Sequence, residues 1–423
     1  MQQFKVAMLT AVSHLSRLLV SLYIIKQIAI TQGPEGLGLL GNFMTLVTIA
    51  ATLAGGGISA GIIKYISEYT GSLYRQFRFA GSAFFYTGSC ALFTLAVGLL
   101  FSEQLAAYVF LNQDYRIYIY FFLIAQIFIA FNNYAYGLAN GFRNNTAYAV
   151  LVIIGNFLAA ALASYLIPNH GFWGATIAVT APILCPFFPA IYYALSKRLW
   201  RYLRFDSVKQ DTVLLSKFSL MLLFSTVCFP IVEMFIRNKI IALMGIEAAG
   251  FWQAITKLSA AYLSFYSLFL SFYFVPIISP KQDNRSIMNE VNKMVFFIGG
   301  LFLGMMLFFF FYRNTIITLV YTDKFLAINH LFLLQMLGDF FRVIGWVVGF
   351  VVVAKAATKL YILGEILQGA LFILLCSIEL HYSVSLSAVI LAYIGTAFIY
   401  CLIVLTLFYY FFRTKRDTWV MEV

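Results

Sequence analysis

Apolar runs long enough to cross a lipid bilayer constrain this chain more than any other feature. The first run covers about residues 6–31, the second covers about 37–65, and the turn 33–38 joins them. A helix of about 20 apolar residues spans a bilayer. Charged residues make up only 10% of the chain, against about 25% in soluble domains. The sequence therefore predicts a polytopic membrane protein.

Twelve such spans are predicted, and we expect all of them to be α-helices. Lipid offers the backbone no hydrogen-bond partners, so a spanning segment is either a helix or part of a closed barrel. No segment alternates polar and apolar residues as barrel strands do. The spans are residues 5–31, 37–64, 79–102, 116–139, 146–167, 171–196, 214–243, 247–279, 293–312, 328–354, 359–379 and 384–412.

Basic residues between the spans predict the orientation of the chain. With a cytoplasmic amino terminus, the inside loops and tails hold 19 of the 28 Lys and Arg residues, the outside loops hold three, and six lie within spans. Short cytoplasmic loops of membrane proteins carry an excess of Lys and Arg. We therefore expect both termini in the cytoplasm, together with the basic loop 197–213.

A repeat with a constant offset of 212 residues divides the chain into two similar halves, 1–206 and 207–423. Each half has six spans and the same orientation, so we expect two six-helix bundles related by a pseudo-two-fold axis along the membrane normal. Internal repeats of this kind are typical of secondary transporters. The glycine triplet 55–57 has no counterpart, so the halves need not bend alike. The pairs at this offset include Gly33 and Gly245, Glu35 and Glu247, and Gly38 and Gly250.

Charged residues inside the predicted spans are the candidates for function. A charge in hydrocarbon is costly, so such residues usually face a hydrated cavity and take part in transport. Glu233 and Arg237 are four residues apart and Asp339 and Arg342 are three apart, so each pair shares a helix face. The cations are Arg17, Lys26, Arg237, Lys239, Lys257 and Arg342, and the anions are Glu233, Asp339 and Glu365.

Two polar stripes on these helices are predicted to face an internal cavity. Ser13, Arg17 and Ser21 recur at intervals of four residues, and Lys257 follows Gln253 by one turn. The cations inside the spans exceed the anions by three charges. This excess favours an anionic substrate such as a diphosphate, because Arg binds phosphate oxygens through two parallel hydrogen bonds and Lys acts as a point charge.

Structural explanations remain open for several of these charges. Lys26 and Lys239 lie near the outer ends of their helices, where long side chains can reach the interface. The two same-helix pairs of acid and base could serve stability alone.

The remaining polar residues give weaker indications. Asn132, Asn133 and Asn156 lie in or near the fourth and fifth spans and could bind a sugar or bridge helices. Five Cys and four His residues show no metal-ligand spacing, and no nucleophile–base arrangement or nucleotide-binding motif occurs. We therefore expect no catalytic residue, no metal, no cofactor and no nucleic-acid partner.

Several motifs carry a family resemblance over most of the chain. They are Gly33-Pro34-Glu35-Gly36-Leu37-Gly38-Leu39, Leu53-Ala54-Gly55-Gly56-Gly57-Ile58, Lys64-Tyr65 with Glu68-Tyr69, and Gly250-Phe251-Trp252-Gln253. In these residues the chain resembles the Wzx-type O-antigen and enterobacterial common antigen flippases. These flippases form the polysaccharide transporter branch of the multidrug/oligosaccharidyl-lipid/polysaccharide exporter superfamily.

The resemblance implies two bundles arranged as a V that opens alternately to each side of the bacterial inner membrane. The implied substrate is an oligosaccharide on undecaprenyl diphosphate, moved from the cytoplasmic to the periplasmic leaflet. A polymerase and a chain-length regulator of the same pathway are the implied partners, besides membrane lipid, and we expect the flippase to be a monomer. The expected diphosphate ligands are Arg17, Lys26, Arg237, Lys257 and Arg342, and the candidates for proton or sodium coupling are Glu233, Asp339 and Glu365.

Three alternatives remain open on the sequence. A multidrug exporter of the same fold would need an acidic cavity for organic cations, which the excess of positive charge disfavours. A lipid II flippase has the same chemistry but usually more spans. A membrane O-antigen polymerase or ligase, which is an enzyme, would need a large outer loop, and the outer loops 103–115 and 313–327 are short.

Overall fold

The computed structural model describes residues 2–196, 209–355 and 357–414, and within these ranges the chain is built from α-helices joined by short turns. This confirms the predicted all-α polytopic fold. The helices are α1 (Gln2–Leu53), α2 (Ser59–Glu68), α3 (Leu73–Leu100), α4 (Ser102–Phe110), α5 (Arg116–Gly141), α6 (Asn145–Leu184), α7 (Phe187–Ser196), α8 (Lys209–Met244), α9 (Ile246–Phe269), α10 (Val275–Ile278), α11 (Asn284–Val320), α12 (Asn329–Ala354), α13 (Thr358–Tyr382) and α14 (Leu386–Thr414).

The described residues contain nine continuous helical stretches that are long and apolar enough to cross a membrane. Two of these, Met8–Glu68 and Asn145–Ser196, are 61 and 52 residues long, which is more than twice what one crossing requires. Gly33 and Gly171 interrupt them with non-helical backbone angles. Dividing both stretches at these glycines and adding α8 gives a helix for each of the twelve predicted spans.

The chain divides into two compact units, Met1–Val227 and Cys228–Val423. The boundary falls inside α8, close to Pro230. The predicted boundary between residues 206 and 207 lies outside the described residues. The two halves related by a pseudo-two-fold axis therefore remain a proposal.

Side-chain contacts explain why the first part of α8 belongs to the first unit. The Ser82 hydroxyl donates a hydrogen bond to Asp211 Oδ2 over 3.2 Å, and the Tyr86 hydroxyl donates to Ser219 Oγ over 2.8 Å. The side chain of Arg78 adds an ion pair with Asp211 at 3.8 Å. Asp211 is buried, so these contacts with α3 provide the partners that a buried carboxylate requires.

Gly33 and Gly245, one of the glycine pairs at the 212-residue offset, share an unusual backbone conformation. Gly33 has φ 65° and ψ −161°, and Gly245 has φ 89° and ψ 172°. A residue with a Cβ is strained in this region of φ and ψ. Each glycine lies between two spanning helices, as the predicted repeat expects of an equivalent pair.

The helices that follow Gly33 and Gly245 carry different irregularities. Gly55, Gly56 and Gly57 have φ values of 74°, 85° and 65° and interrupt the first of these helices. In the second half α9 continues into a π-helical turn at Leu270–Phe274. No residue of this π turn has a positive φ, so the glycine triplet has no counterpart in the backbone of α9.

The asparagines inside the spans bridge helices. Asn132 Nδ2 donates to the Ile183 carbonyl over 2.8 Å, and Asn133 Nδ2 donates to the Ala51 carbonyl over 2.9 Å. Asn156 Nδ2 donates to Ser16 Oγ over 2.8 Å. Of the two interpretations of these residues, the contacts support the structural one.

Candidate binding site

A cavity of about 320 Å³ lies within the second unit among α8, α9, α12, α13 and α14. Its wall combines aromatic rings, hydroxyl groups and two opposite charges, Glu233 and Arg342. We call this space the polar cavity. Its described lining residues are Phe229, Glu233, Trp252, Thr256, Ser259, Ala260, Leu263, Ser264, Ser267, Gln335, Arg342, Trp346, Phe372 and Tyr393.

Helix α9 supplies much of the polar wall. Thr256, Ser259, Leu263 and Ser267 line the cavity, and they follow one another at intervals of three or four residues. This spacing places them on one face of an α-helix. The Thr256 and Ser259 hydroxyls already donate within the protein, so each can still accept a hydrogen bond from a polar ligand.

Asp339 lies beside the polar cavity, is fully buried, and accepts hydrogen bonds from several helices. Ser259 Oγ donates to its Oδ2 over 2.6 Å, and the Tyr262 hydroxyl donates to the same oxygen. The Tyr393 hydroxyl donates to Oδ1 over 2.5 Å, with Gln335 Nε2 at 3.5 Å from that oxygen. A buried carboxylate needs such partners, and here they come from α9, α12 and α14.

Arg342 connects this network to the wall of the polar cavity. Its Nη1 donates to the Tyr393 hydroxyl over 3.2 Å, so the guanidinium reaches Asp339 through Tyr393 rather than directly. Its guanidinium carbon lies 4.6 Å from the ring centre of Phe229 and 5.4 Å from that of Trp346. The Arg342 Nε is buried and has no hydrogen-bond partner among the described residues. Because Arg342 lines the polar cavity, an anion in the cavity would lie beside its positive charge.

Arg237 lies deeper in the second unit and is 1% exposed. Its Nη2 donates to Gln253 Oε1 over 2.6 Å, and its guanidinium carbon lies 5.2 Å from the ring centre of Trp252. Gln253 and Lys257 are predicted to face a cavity together. In the structure, Gln253 is instead buried against Arg237. Lys257 interacts electrostatically with Glu233 and Arg237, but it is not among the described residues of the cavity wall.

Arg17 lines a separate cavity of about 240 Å³ within the first unit. Asn133, Tyr136, Asn140 and Tyr148 contribute polar groups to the same wall. Ser13 is buried and donates its hydroxyl hydrogen to the Leu9 carbonyl over 2.8 Å. The predicted stripe consists of Ser13, Arg17 and Ser21. Of these three, Arg17 is the one among the described lining residues of this cavity.

The remaining in-span charges lie in three different places. Lys239 Nζ donates to Ser377 Oγ over 2.9 Å, and Lys26 is half-buried in the first unit. Glu365 lines a second, larger cavity that we describe below. The described lining of the polar cavity carries one acid and one base, so the positive excess counted along the sequence is spread over the molecule.

Sequence reasoning missed the tyrosines of this site. Tyr262 and Tyr393 are two of 27 tyrosines in the chain, and each hydrogen-bonds Asp339 from more than 50 positions away. Asp339 itself was the available signal, because a buried carboxylate in a spanning helix requires donors. Which residues supply them depends on how the helices face one another.

The fold and the charged cavities within its spanning helices define a polytopic membrane transport protein. The chain belongs to the family described as polysaccharide biosynthesis protein, whose family model matches residues 5–282. This confirms the resemblance seen in the motifs.

The curated relatives include the lipid III flippases of Escherichia coli (strain K12) and Shigella flexneri. Each is 31% identical over 369 residues, which cover 86% of this chain and 88% of the relative. These relatives are named as flippases, which are transporters. They confirm the prediction of a transporter rather than an enzyme.

Solved structures with the same fold include two other transporters. An inward-facing multidrug resistance MATE family transporter of the MOP superfamily has a TM-score of 0.73 at 14% identity, covering 94% of both chains. The lipid II flippase MurJ in an inward closed conformation has a TM-score of 0.70 at 15% identity, covering 95% of this chain and 87% of that one. At these identities the likeness shows the fold alone.

Proposed function

We propose that this chain moves an oligosaccharide carried on undecaprenyl diphosphate from the cytoplasmic to the periplasmic leaflet of a bacterial inner membrane. The relationship to lipid III flippases carries this proposal, since it extends over 86% of the chain and 88% of those relatives. The two halves, 1–206 and 207–423, would form a V and open alternately to each side. Both termini would lie in the cytoplasm.

Arg342 is the proposed principal ligand of the diphosphate. It is the single basic residue among the described residues that line the polar cavity. An arginine can bind phosphate oxygens through two parallel hydrogen bonds. Arg17, in the cavity of the first unit, is proposed as a second contact, and Lys26, Arg237 and Lys257 complete the set.

The hydroxyl groups of α9 are proposed to meet the sugars. Thr256, Ser259 and Ser267 line the polar cavity beside Trp252 and Trp346. Ligand sites commonly combine apolar walls with a few polar groups that fix orientation. The polar cavity has this composition.

Glu233, Asp339 and Glu365 are proposed to couple transport to protons or sodium. Carboxylates within spanning helices often serve as such carriers. Asp339 is the strongest of the three, because its hydrogen bonds to Ser259, Tyr262 and Tyr393 connect three helices. Loss or gain of its charge would change contacts on all of them.

The flippase is proposed to act as a monomer alongside a polymerase and a chain-length regulator of the same pathway. A flippase delivers repeat units to the outer leaflet, where a polymerase would consume them. These partners follow from the proposed substrate.

Replacing Arg342 tests the proposed function. In cells that depend on this chain for a surface polysaccharide, we expect Arg342→Ala to lower polysaccharide export about tenfold or more, because hydrogen bonds to charged groups contribute about 1.5–3 kcal/mol. Arg342→Lys should retain part of the activity, since it keeps the charge without the planar fork. Export would be measured by quantifying surface polysaccharide at matched protein levels.

Arg116→Ala is the matched control, because Arg116 is an exposed arginine that pairs with Glu103 at the start of α5. It should leave export unchanged. Full export by Arg342→Ala would contradict the assigned role of Arg342. If the chain instead exported drugs, resistance to organic cations would rise with its expression and polysaccharide export would not depend on it.

A further inference from the structure

A second cavity of about 600 Å³ lies within the second unit between α12, α13 and α14. Its walls are formed mainly by Val, Leu, Ile and Phe side chains, and we call it the apolar groove. Val348, Val351 and Phe408 form its buried base, whereas Leu363 on its rim is 61% exposed and Leu407 is 50% exposed. The groove is therefore open along one side to the surface of the helices.

The apolar groove is continuous with the polar cavity. Ser267, Arg342 and Trp346 line both spaces, so the two meet at the Arg342 guanidinium. A ligand that fills both would present an anionic group at Arg342 and an apolar group beyond it.

The groove is long enough to hold a segment of hydrocarbon chain. It follows α12 from Arg342 to Val353, and the eleven steps between these residues rise about 16 Å along a helix. That length is roughly half of the hydrocarbon thickness of a bilayer. Its volume is within the usual range for sites of small ligands.

We propose that the apolar groove binds the hydrocarbon chain of an anionic lipid, at the segment that directly adjoins its charged group. This inference rests on the proposed function, under which the lipid is the polyprenyl diphosphate that carries the sugars. The charged group lies at Arg342, the sugars lie in the polar cavity, and the first part of the chain lies in the groove. The exposed rim lets the rest of the chain continue into the surrounding lipid.

Glu365 fits this assignment as a counter-charge. It is the single acidic residue among the described lining residues of the groove, and it interacts electrostatically with Arg342. The charged group of the ligand would replace this carboxylate as the partner of the guanidinium. A neutral prenol offers no such replacement, so it should bind more weakly than a prenyl diphosphate.

Gly349 offers a way to fill the groove without disturbing the backbone. It lines the groove within α12, and a Cβ added there would meet no atom within 4 Å. Gly349→Phe should therefore place a ring in the groove. Gly304→Phe is the matched control, because Gly304 lies within α11, is exposed, and also has no atom within 4 Å of an added Cβ.

The test is photo-crosslinking of the purified full-length protein in nanodiscs with a farnesyl diphosphate that carries a benzophenone on its hydrocarbon chain. Crosslinked peptides would be mapped by mass spectrometry, with unlabelled geranylgeranyl diphosphate, geranylgeraniol and phosphatidylglycerol as competitors. We expect crosslinks on α12, α13 and α14 that the unlabelled diphosphate removes. Gly349→Phe should reduce them about tenfold, which corresponds to about 1.4 kcal/mol of binding, and Gly304→Phe should not.

Two results would overturn the groove assignment. Crosslinks that map elsewhere, or that persist in Gly349→Phe, would exclude the groove and leave the proposed transport function intact. Equal competition by geranylgeraniol would show a site for any hydrocarbon chain, and equal competition by phosphatidylglycerol would show a site for anionic phospholipids rather than for a prenyl diphosphate. Diphosphate binding by Arg342→Ala is a separate measurement that tests the proposed function. A failure of the groove assignment can therefore be distinguished from a failure of the proposed function.

Discussion

At the scale of single residues, the second unit is organised around a carboxylate and a guanidinium that share one hydroxyl group. Tyr393 donates to Asp339 Oδ1 and accepts from Arg342 Nη1, at 2.5 Å and 3.2 Å. Both hydrogen bonds involve a charged group in surroundings from which water is largely excluded, where such bonds are strong. A change at Arg342 in the cavity wall can therefore reach the buried Asp339.

Removing this hydroxyl should affect stability and transport together. We expect Tyr393→Phe to lower the free energy of unfolding by about 1.5–3 kcal/mol, because it deletes hydrogen bonds to charged groups. The detergent-solubilised protein would melt earlier in a fluorescence-monitored thermal scan, and polysaccharide export would fall. Tyr382→Phe is the control, since Tyr382 is 83% exposed. Equal melting temperatures for both variants would contradict the central role of Tyr393.

At the scale of helices, single glycines decide where a long apolar stretch becomes two spans. Gly33 and Gly245 both adopt positive φ with ψ near 180°, and a Cβ on either would meet no atom within 4 Å. Space therefore does not select glycine at these positions. The backbone conformation does, because side chains strain it.

Alanine at these positions should be costly for that reason. We expect Gly245→Ala to lower the free energy of unfolding by about 1–3 kcal/mol, the usual cost of a strained backbone conformation. Gly33→Ala should behave alike if the halves are equivalent. Gly304→Ala, at a helical glycine with equal space, should be neutral or stabilising, since alanine favours helices. Thermal melting of the purified variants would show the difference, and an unchanged melting temperature for Gly245→Ala would refute the strain.

Packing between helices also depends on glycines that sequence reasoning did not single out. A Cβ at Gly137 would lie 3.0 Å from the Ile62 Cβ, and one at Gly141 would lie 3.0 Å from the Ile66 Cβ. These two glycines of α5 therefore accommodate α2 at close range, as small residues do in membrane helix pairs. Motifs in a sequence do not show which helix approaches a glycine, so the packing role of Gly137 and Gly141 is visible only in the structure.

At the scale of the whole molecule, the distribution of basic residues predicts how the chain crosses the membrane. The loops and tails predicted to lie inside hold 19 basic residues, and the loops predicted to lie outside hold three. If both termini lie inside, as this asymmetry predicts, the number of spans must be even. The helices found for the twelve predicted spans satisfy it.

Cysteine labelling can test this orientation directly. Gln113, between α4 and α5, is predicted outside, and Gln282, between α10 and α11, is predicted inside; both are exposed. We expect a membrane-impermeant maleimide to label Gln113→Cys in intact spheroplasts and to label Gln282→Cys only after permeabilisation. The unmodified protein measures the background from its five native cysteines. The reverse pattern would invert the proposed direction of transport.

The sequence by itself determined the spans, their predicted orientation and the repeat. Apolar length and the position of basic residues are local properties to which the bilayer responds directly, so no tertiary contact is needed to infer them. The glycines that divide the spans are local too, and the predicted repeat pairs Gly33 with Gly245, which share one backbone conformation.

Only the tertiary structure decided which charges meet and what lines each cavity. Asp339 receives hydrogen bonds from Tyr262 and Tyr393, 77 and 54 positions away, and Arg342 lies where the polar cavity joins the apolar groove. Packing between neighbours sets the rotation of a spanning helix about its own axis. The spacing of residues along the sequence therefore shows which charges share a helix face. Only the packing between helices decides what that face contacts.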